Sequence, residues 1–357
     1  MEGFSVRIIG GGVAGSYLAQ LLAQRGVQVE LIDFQKKYSK PCGDAVTLRP
    51  WISKLLEEHD VISTSVKRYS ILVDGDLVSE VNFPSANWHI IDKHAFVEKL
   101  WENASRAGAK VRLGSYGTCT GCGENCLCID ARGPFAHPKR TWVITYRLLL
   151  RTYERWDPGH ALIDFYPELG GLFWLFPSDS EGRVVNVGAG WLRGGVRKAI
   201  RFSLEKAESL LGRYMIVDER AAPIAVLSRI DIGGDRVFRV GEAAGFIISS
   251  AGEGNRPALE SSRGFAEALL GEAPSSLHMI KKRYASSTGT LRSEVRASRI
   301  SLLMAIVTPR LAGRVLRLAD REFWTDYLSA RLTMDRFAYH VSRISPLLVS
   351  SIRKFEV

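Results

Sequence analysis

The sequence has no apolar run long enough to cross a bilayer. A membrane-spanning helix needs about 20 consecutive apolar residues, and the best candidate, 300–307, stops before Pro309. The amino-terminal residues lead at once into an apolar strand pattern, which leaves no room for a signal peptide. We therefore expect a cytoplasmic protein that does not span the membrane, with a peripheral position on its surface as an open alternative.

Acidic residues are scarce at the end of the chain. Residues 275–357 contain 15 Lys and Arg against 6 Asp and Glu, so this stretch carries +9 of the net charge of +10. Such a region fits nucleic acid, anionic lipid headgroups or an acidic protein, and it is equally typical of a solvated helical face. We favour an anionic membrane surface and expect no nucleic acid. The basic residues with helical spacing, which predict one shared face, are Arg310, Arg314, Arg317 and Arg321.

Cysteine is rare, with five residues in 357, and four of the five lie close together: Cys119, Cys122, Cys126 and Cys128. Their spacing differs from the two separated knuckles of a closed zinc site. Disulfides or free thiols are the favoured states of this cluster, and a bound metal or iron–sulfur cluster is the open alternative. The histidines lack ligand spacing, so we assign no metal site.

The strongest pattern that is present lies near the amino terminus. It reads as a strand, a glycine-rich turn, a helix and a second strand, at residues 5–9, 10–15, 16–25 and 27–32. In such a unit Gly10 permits the tight turn, Gly12 lets the backbone approach a pyrophosphate, and Gly15 allows close packing of helix on strand. Asp33 follows the second strand, where a carboxylate binds the hydroxyls of an adenosine ribose. The pattern predicts dinucleotide binding but does not distinguish NAD from FAD.

Later segments carry a family resemblance. They are Lys40-Pro41-Cys42-Gly43-Asp44-Ala45, Gly170-Gly171-Leu172-Phe173-Trp174-Leu175-Phe176-Pro177, Asn186-Val187-Gly188-Ala189-Gly190, Val237-Phe238-Arg239-Val240-Gly241-Glu242-Ala243-Ala244-Gly245 and Gly252-Glu253-Gly254-Asn255. In this order they resemble the geranylgeranyl reductase family, within the flavoproteins similar to para-hydroxybenzoate hydroxylase. The resemblance covers about residues 5–270.

The resemblance implies FAD as the cofactor. The residues it places along the cofactor are Gly10, Gly12, Ala14, Gly15, Asp33, Cys42, Gly43, Asp44, Lys93, Gly241, Glu242, Gly254 and Asn255. Lys93 takes the place of a family arginine and keeps its charge without the bidentate fork. Glu242 replaces the aspartate that contacts the ribityl chain and is one methylene longer. Asn255 stands where the family commonly has an aliphatic residue, and its backbone amide would face the pyrimidine edge of the flavin.

The resemblance also implies a reaction, the reduction of C=C bonds in an isoprenoid, geranylgeranyl-type chain of a lipid, prenyl diphosphate or quinone. Such an alkene has no polar handle, so its site needs a dry apolar wall and a proton source. The residues expected to form that wall are Tyr166, Leu172, Phe173, Trp174 and Phe176. Catalytic roles are expected for Cys42, Trp174 and Phe176. For Cys42, the alternatives are a proton donor, a pocket thiol, a redox-sensitive gate or a small buried hydrophobe.

Two other functions remain open on the same scaffold. One is an FAD-dependent monooxygenase or halogenase, and the other is an electron-transfer flavoprotein. The sequence shows no second nucleotide-binding fold after the first. We therefore expect electrons to arrive from NAD(P)H that docks transiently or from a carrier protein such as ferredoxin.

These patterns predict an α/β protein with three parts. A Rossmann-type FAD-binding domain is expected at 1–66, 88–135 and 216–274, and an antiparallel β-sheet substrate domain at 67–87 and 136–215. The latter begins with a hairpin around Asp74-Gly75-Asp76. A helical, basic region is expected at 275–357, with breaks at Pro309 and Pro346.

Overall fold

The computed structural model describes residues 4–120, 122–123, 125–271 and 276–353, with side chains through Ile344. The strands are β1 (Ser5–Ile9), β2 (Gln28–Asp33), β3 (Ala45–Thr47), β4 (Ile62–Val66), β5 (Arg68–Val73), β6 (Asp76–Asn82), β7 (Trp88–Ile91), β8 (Lys110–Leu113), β9 (Cys126–Asp130), β10 (Val143–Thr152), β11 (His160–Tyr166), β12 (Gly171–Pro177), β13 (Val184–Trp191), β14 (Tyr214–Ile224), β15 (Gly233–Gly234) and β16 (Val237–Arg239). The helices are α1 (Val13–Ala23), α2 (Pro50–Glu58), α3 (Lys93–Arg106), α4 (Gly195–Leu211), α5 (Asn255–Leu270), α6 (Leu277–Ser287), α7 (Gly289–Val307), α8 (Pro309–Leu318), α9 (Arg321–Leu328) and α10 (Met334–Arg353).

The first sheet is the predicted Rossmann-type core. Its strand order is β15-β16-β9-β1-β2-β8, and the strands from β16 to β8 run parallel. Strands β2 and β9 flank β1 on opposite sides, so the order of the chain reverses at β1. Ligands of open α/β sheets bind in the crevice outside the carboxyl end of such a strand. Helix α1 begins at this crevice and packs against α3 and α5.

The second sheet is almost entirely antiparallel, as predicted, and has the strand order β14-β10-β13-β12-β11-β5-β6. Strands β5 and β11 are its parallel pair. Helix α4 covers one face of the sheet, and the other face packs in part against α9, through Phe323 and Trp324. A smaller antiparallel sheet has the strand order β3-β7-β4, and its strands alternate along the chain with those of the two larger sheets.

Two details of this sheet test the sequence predictions. The predicted hairpin is confirmed, because β5 and β6 pair antiparallel on either side of Asp74 and Gly75. The expected domain boundary after residue 215 falls inside β14, which pairs with β10 along its length. The second sheet therefore continues to Ile224, since a strand in a ladder belongs to its sheet as one unit.

The carboxyl-terminal region is helical, as predicted. Helix α7 ends at Val307, and α8 begins with Pro309 in its first turn, where the missing N–H of proline costs no hydrogen bond. The predicted break at Pro346 is wrong, because α10 continues through this position to Arg353. A proline inside a helix removes one ladder hydrogen bond, and a helix of this length can continue without it. Within the described part of the chain, no helix combines the length and apolarity that crossing a membrane requires.

The predicted basic face is only partly present. Arg321 begins α9, after α8 has ended at Leu318, and therefore does not continue the face. Arg317 forms ion pairs with Asp74 and Asp76 in the β5–β6 turn. Helical spacing in the sequence did not show the break between the two helices or these acidic partners.

Candidate active site and its relatives

The crevice at β1 opens into a continuous cavity of about 860 Å³. Gly10, Gly12 and Asp33 line one end of this cavity. Its other end is apolar and is lined by residues from several elements, including Leu172, Trp174, Phe176, Ile224 and Leu302. The dinucleotide fingerprint and an apolar chamber thus share one space.

The glycine fingerprint has the geometry that its spacing predicts. Gly10 has φ +104°, a left-handed conformation that favours glycine. A Cβ on Gly15 would lie 1.9 Å from the Gly10 carbonyl oxygen, so this glycine is required for the close packing of α1 on the turn. A Cβ on Gly12 would meet no atom within 4 Å and would enter the cavity. Gly12 therefore leaves room for a ligand.

Asp33 closes the polar end of the cavity. Its Oδ2 accepts a hydrogen bond from the Gly11 amide, and its Oδ1 accepts one from the Gln35 amide at 2.7 Å. Burial raises the pKa of this carboxyl above its ordinary value, and the two backbone amides oppose that rise. Each carboxylate oxygen keeps further lone pairs that can accept a ribose hydroxyl.

A second helix begins at the cavity. Gly254 is the residue before the first turn of α5, and a Cβ there would also meet no atom within 4 Å. The Asn255 side chain donates to the Ala45 carbonyl at 3.1 Å and approaches the Cys42 sulfur at 3.7 Å. The first turn of a helix carries unpaired N–H groups and a partial positive charge, which stabilise an anionic ligand.

Cys42 lies in a turn that hydrogen bonds fix from several sides. Its thiol donates to Asp44 Oδ1 at 3.0 Å, and the Asp44 amide donates to the sulfur at 3.1 Å. Asp44 has φ +57°, a conformation that aspartate tolerates better than most side chains. Asn186, which is fully buried, donates to the Cys42 carbonyl at 2.9 Å and accepts from the Trp174 indole N–H at 2.9 Å.

The pKa values of Cys42 and Lys93 are both raised, which keeps the thiol neutral and the amine positively charged. Burial, followed by the Asp44 carboxylate, raises the pKa of the Cys42 thiol, so the thiol stays protonated. The Lys93 side chain is 2% exposed, and its Nζ lies 3.8 Å from Asp44 Oδ1. Burial alone would lower the pKa of Lys93, whereas negative charge on its neighbours raises it. With the Cys42 thiol and the Tyr38 phenol protonated, that charge is the Asp44 carboxylate. A cation, a carboxylate and a neutral thiol therefore stand side by side on the cavity wall.

Fewer of the expected wall residues line the cavity than the sequence predicts. Leu172, Trp174 and Phe176 line the cavity, because side chains two positions apart share one face of a strand. The prediction is wrong for Phe173 and Tyr166, which lie in the core on the opposite face. Both of these rings contact Phe202 of helix α4.

The structure brings most of the predicted site residues to the cavity. Those that line it are Gly10, Gly12, Ala14, Asp33, Cys42, Gly43, Asp44, Lys93, Trp174, Phe176, Glu242, Gly254 and Asn255. Gly15 packs behind the wall, and so does Gly241, where a Cβ would lie 2.7 Å from the Cβ of Ala14. The Glu242 carboxylate accepts from Lys40 Nζ at 2.9 Å and from the Ala225 amide at 2.7 Å.

The sequence reasoning missed a buried ion network on the same cavity. Arg256 is fully buried and pairs with Glu253, Glu260 and Glu294. Arg49 pairs with Glu260 and Glu294 from the other side and also donates to two backbone carbonyls that follow α9. The i,i+4 spacing of Arg256 and Glu260 was a readable signal, whereas the contacts with Arg49 and Glu294 exist only in the folded chain.

The clustered cysteines lie beside the polar end of the cavity. Cys119 and Cys128 form a disulfide, and Cys122 and Cys126 are free thiols. The disulfide joins strand β9 to the segment that follows β8, and residues 115–117 of that segment line the cavity. Tyr116 of this segment stacks on Phe34.

The residues present fit FAD. Gly12 and Gly254 are, among the lining glycines that the structure describes, the two at which a Cβ would meet open space. Each stands at the beginning of a helix, so the cavity offers two separate groups of amide donors, one for a diphosphate and one for the electron-rich edge of a flavin. Asp33 would supply a carboxylate for a ribose, and the apolar residues Leu172, Trp174 and Phe176 of β12 line the same cavity.

Comparison with known proteins agrees with this assignment. A sequence profile of the NAD(P)-binding Rossmann-like domain matches residues 8–50. A geranylgeranyl diphosphate reductase of Rhodobacter capsulatus is 26% identical over 81% of this chain and 82% of its own length. The chloroplastic geranylgeranyl diphosphate reductase of Nicotiana tabacum is 25% identical over 74% of this chain, which spans 66% of the tobacco protein. A digeranylgeranylglycerophospholipid reductase of Methanosphaera stadtmanae is 23% identical over 72% of this chain and 75% of its own length.

Solved structures share the fold along nearly the whole chain. A geranylgeranyl bacteriochlorophyll reductase-like protein from Thermoplasma acidophilum has a TM-score of 0.74 at 17% identity and covers 98% of both chains. A flavin-dependent brominase has a TM-score of 0.68 at 14% identity, covering 97% of this chain and 99% of its own. The fold and these relatives support FAD as the cofactor, as the sequence predicts. The predicted resemblance is therefore confirmed: this chain is similar to geranylgeranyl reductases at 23% to 26% identity.

Proposed function

We propose that this protein is an FAD-dependent reductase of C=C bonds in isoprenoid, geranylgeranyl-type chains. The observation that carries the proposal is the single cavity that joins the dinucleotide fingerprint to an apolar chamber. An unactivated alkene offers nothing to hydrogen-bond, so recognition depends on shape and on the exclusion of water. The names of the relatives agree with this substrate class.

When bound, reduced FAD would supply a hydride for one alkene carbon, and a residue of this chain would supply the proton for the other. Cys42 Sγ carries a proton, because burial and the neighbouring Asp44 carboxylate raise the pKa of the thiol. Cys42 lines the cavity, as Trp174 and Phe176 do. Cys42 is therefore our candidate proton donor, and Lys93 stabilises the charge that Asp44 keeps beside it.

Trp174 and Phe176 shape the chamber in this proposal. Asn186 holds the Trp174 indole through its side-chain oxygen and holds the Cys42 backbone through its side-chain nitrogen. One buried amide thus couples the aromatic wall to the thiol turn. Reducing equivalents come from NAD(P)H or a ferredoxin. The substrate is carried by a lipid, a prenyl diphosphate or a quinone.

An anaerobic assay tests the reaction class. Dithionite-reduced protein is incubated with geranylgeranyl lipids, and mass spectrometry should show products that have gained hydrogens in pairs. Leu172→Trp should fill the chamber and lower turnover while FAD stays bound, and Leu77→Trp, on the exposed β6, should leave both unchanged. Oxygen-dependent hydroxylation or halogenation would instead identify a monooxygenase or halogenase. Flavin oxidation by a quinone with the alkenes intact would identify an electron-transfer flavoprotein.

A further inference from the structure

Helix α7 is a wall one helix thick between the cavity and the surroundings of the protein. The residues of α7 that line the cavity are Glu294, Ser298 and Leu302. The exposed residues on its opposite side are Arg296, Ile300, Leu303 and Val307. At about 100° per residue, the two sets point in opposite directions. We call the second set the outer stripe.

The outer stripe is apolar along most of its length. Val307 is 76% exposed, Leu303 is 39% exposed and Ile300 is 37% exposed. Leu311, in the first turns of α8, extends this surface and is 38% exposed. Single exposed apolar side chains are common, but several that adjoin one another mark a surface for interaction.

The helices that carry the outer stripe have an excess of positive charge. Residues 289–318, which form α7 and α8, contain six arginines and one acidic residue, Glu294. Glu294 faces inward and pairs with Arg256, so it does not neutralise the outer side. Two of the six arginines have acidic partners from the second sheet: Arg317 pairs with Asp74 and Asp76, and Arg310, whose side chain is 94% exposed, lies 3.8 Å from the Glu168 carboxylate. Arg296 and Arg314 are exposed as well, so the excess of positive charge on this side remains.

We propose that the outer stripe and Leu311 form a docking surface for an anionic lipid membrane. Apolar side chains of an amphipathic helix enter the boundary between headgroups and acyl chains, and arginines beside them bind lipid phosphates. Because a helix is about 10 Å across, docking through this side places the apolar chamber about one helix width from the lipid. The short distance from lipid to chamber would help only a lipid-borne substrate, so this part of the argument rests on the proposed function. The docking surface itself rests on exposure and charge.

Vesicle sedimentation of the FAD-bound protein tests the surface. The vesicles are phosphatidylcholine alone or phosphatidylcholine with about 30% phosphatidylglycerol. The protein should sediment with the anionic vesicles and not with the neutral ones, and about 0.5 M salt should weaken its binding. Val307→Asp should lower the bound fraction about tenfold. The matched control is Val217→Asp, on the exposed part of β14, which should bind as the unmodified protein does.

A second pair of variants tests the charge. Arg310→Glu should weaken binding to anionic vesicles, and Arg106→Glu, at the exposed end of α3, should not. Recovery of the protein in the supernatant with both vesicle types would overturn the docking surface and would favour an acidic protein partner. Equal losses for Val307→Asp and Val217→Asp would also overturn it.

Alkene reduction measured with detergent-solubilised lipid separates the two proposals. Val307→Asp should keep this activity, because the residue lies outside the cavity. Reduction without vesicle binding would refute the docking surface alone. Vesicle binding that needs Val307, without reduction of any alkene, would refute the proposed function alone.

Discussion

Gly12 and Gly15 stand three positions apart in the sequence. A side chain added at Gly12 would enter open space, whereas a side chain added at Gly15 would overlap the backbone. Gly12 has an extended backbone, and its Cβ would enter the cavity, where no atom lies within 4 Å. Gly12→Val should therefore change the free energy of unfolding of the apoprotein by about 1 kcal/mol or less. It should abolish FAD binding, because the side chain occupies the space for the diphosphate. Urea unfolding and the flavin absorbance of the purified protein measure the two effects.

Gly15→Val provides the contrast. Its Cβ would overlap the Gly10 carbonyl oxygen, so we expect the free energy of unfolding to fall by about 3 kcal/mol or more. A Gly12→Val protein that retains a full complement of FAD would contradict the placement of the diphosphate at α1.

The protonation of Cys42 depends on its neighbour Asp44. Burial and the Asp44 carboxylate hold the pKa of the thiol above its ordinary value of 9.0, so iodoacetamide should label Cys42 of the apoprotein very slowly at about pH 8. Asp44→Asn should lower that pKa and shift the pH profile of labelling to lower pH. Peptide mass spectrometry resolves the label on each cysteine. Unchanged labelling of Cys42 in Asp44→Asn would show that Asp44 does not control the thiol.

At the scale of elements, the two faces of β12 have different roles: one face packs in the core, and the other lines the cavity. Trp174 faces the cavity, whereas Phe173 is fully buried against α4 on the opposite side. Phe173→Ala should lower the free energy of unfolding by about 3–5 kcal/mol and leave turnover of the remaining folded protein unchanged. Trp174→Ala should reduce turnover, since it enlarges the chamber and removes the partner of Asn186. Thermal unfolding and the alkene assay on both variants distinguish the two, and the reverse pattern would contradict the assignment of faces.

Sequence patterns predicted the helices and strands well, but they did not predict which face of each strand lines the cavity. The βαβ unit was readable because an apolar run, three glycines and Asp33 occur in a fixed order along adjacent residues. The aromatic wall was expected to include Phe173, although a strand turns successive side chains to opposite faces. The motif identified the segment, and the choice of face required knowledge of what covers each side of the sheet.

Contacts between distant parts of the chain were beyond sequence reasoning. Arg49 and Glu294 meet in the fold at 3.1 Å, and neither belongs to a motif. Gly241 was expected along the cofactor because it belongs to a motif, but its role in the structure is close packing against Ala14. A motif therefore contains residues that position a site as well as residues that contact a ligand.

At the scale of the whole molecule, the buried ion network joins parts that the chain separates. Arg256 belongs to α5, beside the cavity, and Glu294 belongs to α7, which carries the outer stripe. Arg49 precedes α2 and reaches the carbonyls of Ser329 and Ala330 after α9. Removing one member leaves its partners buried and unpaired, which typically costs about 3–5 kcal/mol. The network thus fixes the carboxyl-terminal helices against the Rossmann core.

The network also predicts how stability depends on pH. Burial, despite the opposing Arg256 and Arg49, raises the pKa of Glu294 from 4.5 to about 7. A carboxyl with a raised pKa binds its proton more tightly in the folded state. Its contribution to stability is therefore complete below the unfolded value of 4.5 and is lost as the pH rises through about 7.

Glu294→Gln tests this because glutamine does not titrate. The free energy of unfolding of the unmodified protein, minus that of Glu294→Gln, should fall by about 1–3 kcal/mol between about pH 5 and about pH 8. Taking the difference cancels the groups that titrate in both proteins. Glu267→Gln, on the exposed side of α5, is the control and should show no such slope. A difference that stays flat from about pH 5 to about pH 8 would mean that the two arginines outweigh burial and hold Glu294 ionised, as a permanent ionic link between α7 and the Rossmann core.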